Sequence, residues 1–162
     1  TPGASFQDNG FWFQTFCLAE RVYFVNRPYY MNRRDNPNSS VKSREKVYCM
    51  NEEYRFIHDF LDGHPELKDR FMGVYSMQRF RNYFWTYSRI DKRFRKEYLE
   101  TMSAELREAV ERKELYREYF TPLEWNKIER IMKDPHAAEK WMALSMLARR
   151  VKQICRKALR KK

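Results

Sequence analysis

From Val47 onward the apolar residues return every three or four positions, and the chain carries almost no punctuation to interrupt them. Val47, Met50, Tyr54, Ile57 and Leu61 step by three and four, which sets them on one face of a helix ending before Gly63-His-Pro65. Leu67, Phe71, Val74, Met77, Phe80, Phe84 and Tyr87 trace a second stripe, and Phe94, Tyr98, Met102, Leu106 and Ala109 a third, with a break near Ile90-Asp91. Thr121-Pro-Leu-Glu124 combines an N-cap, a proline at the first helical position and an acid three residues after the cap, so a helix is expected over Leu123 to Met132. Lys133-Asp-Pro135 stops it. A last helix is expected from about His136 into the tail, with Trp141, Leu144, Leu147, Val151, Ile154 and Ala158 along one side. Only 4 Gly and 6 Pro occur in 162 residues, too few turn formers for a many-stranded protein. Hydrophobic residues make up 43% of the chain, enough to bury a core. The expected fold class is therefore mainly α, with a helical, bundle-like region over residues 44–162.

Residues 1–43 read differently. Asn9 to Glu20 is apolar nearly all round, with Trp12, Phe13, Phe16 and Cys17 at helical spacing, and Asp8 stands where it can cap the start. Arg21-Val-Tyr-Phe-Val25 is a β-branched and aromatic run, Asn26-Arg-Pro28 a turn signal, and Tyr29-Tyr-Met-Asn-Arg33 a second strand-like run. A helix followed by a short β-hairpin is expected, and two such strands alone would leave pairing edges exposed.

The order of these elements carries a resemblance. Gly3-Ala-Ser-Phe-Gln-Asp-Asn-Gly-Phe-Trp-Phe13, then Ala19-Glu-Arg-Val-Tyr-Phe-Val-Asn-Arg-Pro28, then Tyr30-Met-Asn-Arg-Arg-Asp-Asn-Pro-Asn-Ser-Ser-Val41 resemble the end of the catalytic domain of bacterial family 2 glycosyltransferases. In that family an acidic motif opens a Phe- and Trp-rich helix, an Ala-(Lys/Glu)-Arg-(Val/Ile) strand and a Tyr-x-x-Arg strand follow, and an Arg- and Ser-bearing loop closes the domain. The resemblance implies a C-terminal piece of a GT-A domain over residues 1–43 and a helical accessory domain over 44–162. The absence of an initiator Met before Thr1 fits such a fragment.

What the resemblance implies for chemistry follows residue by residue. Asp8 matches the catalytic base, the group that takes the proton of an acceptor hydroxyl as it attacks the donor sugar; Gln7 precedes it where many relatives have Glu. Arg33, Arg34, Ser39 and Ser40 fall where the closing loop approaches the nucleotide diphosphate or the acceptor, and guanidinium forks and small hydroxyls suit phosphate oxygens. The same residues also suit a solvated turn. The implied substrates are a nucleotide-sugar donor and a saccharide or lipid-linked acceptor, in the building of cell-surface polysaccharide. The implied cofactor is a divalent metal, Mg or Mn, in the full-length enzyme. This chain has no Asp-x-Asp motif and no glycine-rich phosphate loop, so no metal is expected in it and it is expected to transfer no sugar by itself.

Charge admits other partners. With 33 Lys and Arg against 22 Asp and Glu, the net charge is +11, which suits phosphate-bearing partners. The tail from Arg149 to Lys162 holds eight basic residues and no acid. Arg149, Arg150, Lys152, Arg156, Lys157 and Arg160 can face an anionic membrane surface, each worth about 1 kcal/mol there; the same pattern also suits a solvated end helix. The alternative to a transferase is a non-enzymatic basic helical module for nucleic acid or a membrane surface, prompted by Arg79-Phe-Arg-Asn-Tyr-Phe-Trp85. Phe80 and Phe84 lie on the apolar stripe and should be buried, which argues against nucleic acid. A homo-oligomer is a further option. Cys17, Cys49 and Cys155 form no CxxC pair, and His58, His64 and His136 share no ligand spacing, so neither a disulfide framework nor a zinc site is expected. With no run of about eighteen apolar residues and no signal-peptide pattern, the expected location is cytoplasmic, with peripheral attachment to the inner face of the membrane as an option.

Overall fold

A computed structural model describes residues 5–31, 35 and 43–144. Its described elements are helical, with no strand among them, so the mainly α expectation is met. None of the described helices is long and apolar enough to cross a membrane. The chain divides into two compact units, one through Asp91 and one from Lys92 onward.

The first unit contains α1 (Asp8–Leu18), α2 (Cys49–Asp62) and α3 (Pro65–Arg89), with α2 packed against both α1 and α3. Residue 43, the boundary expected from sequence, lies inside this unit. α2 buries the stripe its spacing promises: Val47, Met50, Tyr54, Ile57 and Leu61 are all inside. It stops at Gly63, whose N–H donates to the Asp59 carbonyl, while the His64 N–H donates to the Leu61 carbonyl. Pro65 then opens α3 at its first turn, where a missing N–H costs nothing.

Along α3 the buried side differs from the expected one. Phe80 and Tyr87 are buried, but Leu67, Phe71, Val74, Met77 and Phe84 are only partly covered, while Met72, Tyr75, Ser76, Tyr83 and Thr86 go inside. Tyrosine explains the rotation: its hydroxyl makes it look amphipathic in sequence, yet it is buried readily once that hydroxyl is paired. The Tyr75 hydroxyl donates to the Tyr54 backbone carbonyl at 3.0 Å. The Tyr54 ring meets those of Tyr75 and Tyr83 at 5.7 and 5.8 Å, and Phe13 from α1 meets Tyr75 at 6.1 Å.

The second unit contains α4 (Lys92–Glu111), a 3₁₀ turn (Arg117–Tyr119), α5 (Pro122–Lys133) and helical residues 135–144. α4 packs against α5 with Leu99, Met102, Leu106, Ile128 and Ile131 buried. The capping box foreseen at Thr121 is present in both directions, the Thr121 hydroxyl accepting from the Glu124 N–H and the Glu124 carboxylate accepting from the Thr121 N–H. In residues 135–144 Ala138 and Met142 are buried and Leu144 is exposed, so the apolar side lies off the expected Trp141–Leu144 line. The remainder of the stripe expected there lies outside the described residues.

The expected β-hairpin is not formed. Residues 19–31 carry no strand, and every residue from Leu18 to Met31 is exposed; positions 32 and 33 of the second run lie outside the described residues. A lone strand cannot pair its own N–H and C=O groups, and these runs find no sheet among the described residues. A local backbone bond in the segment runs from the Arg27 N–H to the Val25 carbonyl at 2.9 Å.

Candidate functional site

The turn that leads into α1 is built against the rest of its unit. Phe6 has φ 72°, a left-handed backbone that an aromatic residue rarely adopts and that costs about 1–3 kcal/mol. Its side chain offsets that cost. The Phe6 ring stands edge-on to Trp85 with centroids 5.8 Å apart, and the Arg89 guanidinium lies over both, 5.2 Å from the Phe6 ring and 4.5 Å from the Trp85 ring. The Phe6 carbonyl accepts from the backbone N–H and the side-chain amide of Asn9, each at 3.0 Å. One residue earlier, the Ser5 hydroxyl accepts from Lys46 Nζ at 2.7 Å.

Within that turn Asp8 is the first residue of α1, and Gln7 occupies the N-cap position without a side-chain cap bond. The expectation that Asp8 caps the helix is therefore corrected. The left-handed step at Phe6 shifts the helix start by one residue, so the Asp8 side chain projects from the first turn. It is exposed, and its polar neighbour is the Asn9 amide at 3.5 Å. Such a carboxylate is open to an approaching ligand.

Two side chains from the neighbouring helices hold the next residues. Asn82 on α3 donates to the Asn9 side-chain oxygen at 3.4 Å and to the Tyr54 hydroxyl at 2.6 Å. The Glu53 carboxylate on α2 lies beside Gly10, in the first turn of α1 where no cap within the helix supplies an acceptor. Gly10 allows this approach, because a Cβ there would stand 3.2 Å from Glu53 Oε2 and 3.2 Å from Phe56 Cδ1. Burial pushes the Glu53 carboxyl above the ordinary carboxylate range and the negative charge of Asp8 adds to the rise, with the Gly10 N–H opposing both. Burial also raises the Tyr54 hydroxyl, against the bond from Asn82.

Of the other residues singled out in the sequence, Arg33, Arg34, Ser39 and Ser40 lie outside the described residues, as do Arg149, Arg150, Lys152, Arg156, Lys157 and Arg160. Cys17 is a buried thiol whose pKa is pushed up by burial, with the Arg70 charge opposing, which suits a core residue. Glu53, Asn82 and the Phe6 turn are absent from the sequence-based site. Gly10 was the available signal, since a glycine inside an otherwise apolar helix marks a close approach; nothing in the sequence names the partner that approaches.

The turn does not fit a divalent cation. No third His, Cys, Asp or Glu joins Asp8 and Glu53 among the described residues. Compared with protein-family models, with curated proteins and with solved structures, the chain finds no match.

Proposed function

We propose that this chain is the C-terminal part of a glycosyltransferase resembling family 2, in which Asp8 is the base that deprotonates an acceptor hydroxyl. The donor is a nucleotide-sugar and the acceptor a saccharide or a lipid-linked saccharide. The observation that carries the reading is the Asp8 turn: an exposed carboxylate on the first residue of an aromatic helix, in a strained backbone held from two neighbouring helices. It opens the ordered series of family-like elements in the sequence. The exposed apolar run after α1 supports the same reading, because Tyr23, Phe24 and Met31 are 89%, 84% and 95% exposed and consecutive apolar residues suit a strand covered on both faces.

In the reaction the Asp8 carboxylate receives the hydroxyl proton as that oxygen bonds to the anomeric carbon, and the nucleoside diphosphate leaves with the electron pair of the broken bond. Arg33, Arg34, Ser39 and Ser40 are proposed to contact the diphosphate or the acceptor. The divalent metal of such enzymes would supply charge neutralisation on the diphosphate, and residues outside this chain would hold it. The basic tail is proposed to rest on an anionic membrane surface. The rival reading, a basic module for nucleic acid, rests on the charge of +11; Phe80 is buried and stacked with Phe84 at 6.2 Å, which leaves it little room to stack on a base.

The test is nucleotide-sugar turnover by the natural gene product that contains this chain, with and without Asp8→Asn. The expected result is a loss of about 10²- to 10⁴-fold in kcat for the variant, and no turnover by residues 1–162 alone. Full turnover by Asp8→Asn, or transfer by the chain alone, would overturn the proposal.

A further inference from the structure

We infer that Glu53 is a positioning residue for Asp8: it holds the first turn of α1 from the side of α2, so that part of the helical region beyond residue 43 sets the aim of the base. The inference rests on the transferase reading and goes beyond it, because the resemblance ends near Val41 and assigns α2 nothing.

Three observations converge. α1 has no cap of its own, since Gln7 makes no side-chain cap bond, and the carboxylate of Glu53 from another helix lies beside Gly10 instead, near enough to touch a methyl group placed there and to have the rise in its own pKa opposed by the Gly10 N–H. A first turn left to water frays, and a base on a frayed turn samples many directions. Second, the fit is close: a methyl group at position 10 would meet Glu53 Oε2 and Phe56 Cδ1, both at 3.2 Å, so the joint between α1 and α2 is made at van der Waals distance. Third, the same turn is fixed on its other side by Asn82 on Asn9 and by Trp85 and Arg89 on Phe6. Left-handed backbone at an aromatic residue persists only where its surroundings over-determine it. Asp8 sits between these two anchors, and displacing a reacting group by about 1 Å can cost about 10²-fold in rate.

Glu53→Gln and Glu53→Ala separate holding from charge. Glutamine keeps a side-chain oxygen beside the Gly10 N–H; alanine removes it. In the natural gene product Glu53→Ala should lower kcat by about 10- to 100-fold with KM within about twofold, and Glu53→Gln should restore most of it. In residues 1–162 the Gly10 amide should exchange at least about tenfold faster in Glu53→Ala and stay near wild type in Glu53→Gln. Gly10→Ala strains the same joint from the other side and should lower kcat in the same way, which keeps the test open if Glu53→Ala fails to fold. An unchanged kcat in Glu53→Ala and Gly10→Ala, with Asp8→Asn inactive, would overturn the positioning role and leave the transferase reading standing. Turnover that survives Asp8→Asn, or no turnover by the natural product, would remove both.

Discussion

The α2–α3 pair and the segment from Leu18 to Met31 draw on the same residue types and meet opposite fates. Tyr54, Tyr75, Ile57 and Leu61 are buried, while Val22, Tyr23, Phe24, Tyr29, Tyr30 and Met31 are exposed. The difference lies in what each period requires. A helix satisfies its backbone internally, so an apolar stripe needs only another stripe to cover it, and α2 finds α1 and α3 within the same unit. A strand needs a neighbour for its backbone before its side chains can be covered at all. The described residues supply the first kind of partner and not the second.

Substitution on the two sides should separate them sharply. Tyr54→Ala should cost about 3–5 kcal/mol, as for other large buried rings, read from denaturant unfolding; it empties the meeting point of the rings of Tyr75 and Tyr83. A cost below about 1 kcal/mol would mean that the α2–α3 core is not what holds the first unit together.

A smaller effect should appear at the joint between α1 and α2 as pH changes. The folded Glu53 carboxyl lies above its ordinary value, with burial as the main cause and Asp8 next. Its contribution to stability is therefore complete below the unfolded value of about 4.3 and is lost as pH rises through the raised folded value. Glu53→Gln, which mimics the protonated side chain, should match wild type in Tm near pH 4 and exceed it near pH 7. Asp134 provides the opposite sign in the second unit. The N–H of Ala137, with that of His136, holds its carboxyl below the ordinary range, so stability gained there is present above about 3.9 and lost as pH falls through the depressed value.

The smallest effect belongs to the exposed run. Tyr23→Ser together with Phe24→Ser should change the stability of residues 1–162 by no more than about 0.5 kcal/mol, because neither side chain has a core to leave. The same pair should abolish turnover in the natural gene product if that surface is covered there.

How far the sequence could be read follows the same division. α2, the capping box at Thr121 and the start of α3 at Pro65 were legible because their signals are local: a spacing, a cap and a proline. The side that α3 buries was not, since seven apolar residues at helical spacing compete there with tyrosines whose burial depends on finding an acceptor such as the Tyr54 carbonyl. The hairpin was misread for a non-local reason: β-branched and aromatic content favours a strand, but strand formation is decided by a partner. The aromatic helix that begins at Asp8 was legible from its sequence. The one-residue shift of Asp8 out of the capping position was not, because that turns on the backbone of Phe6, and Glu53 and Asn82 reach the turn across 43 and 73 residues of chain.

The most direct measurement is amide hydrogen exchange over residues 19–31, compared between residues 1–162 alone and the natural gene product that contains them. If this run is the face of a larger sugar-transferring domain, its amides exchange at unprotected rates in the chain alone and are protected by at least about a hundredfold in the natural product. Equal, unprotected exchange in both would contradict it.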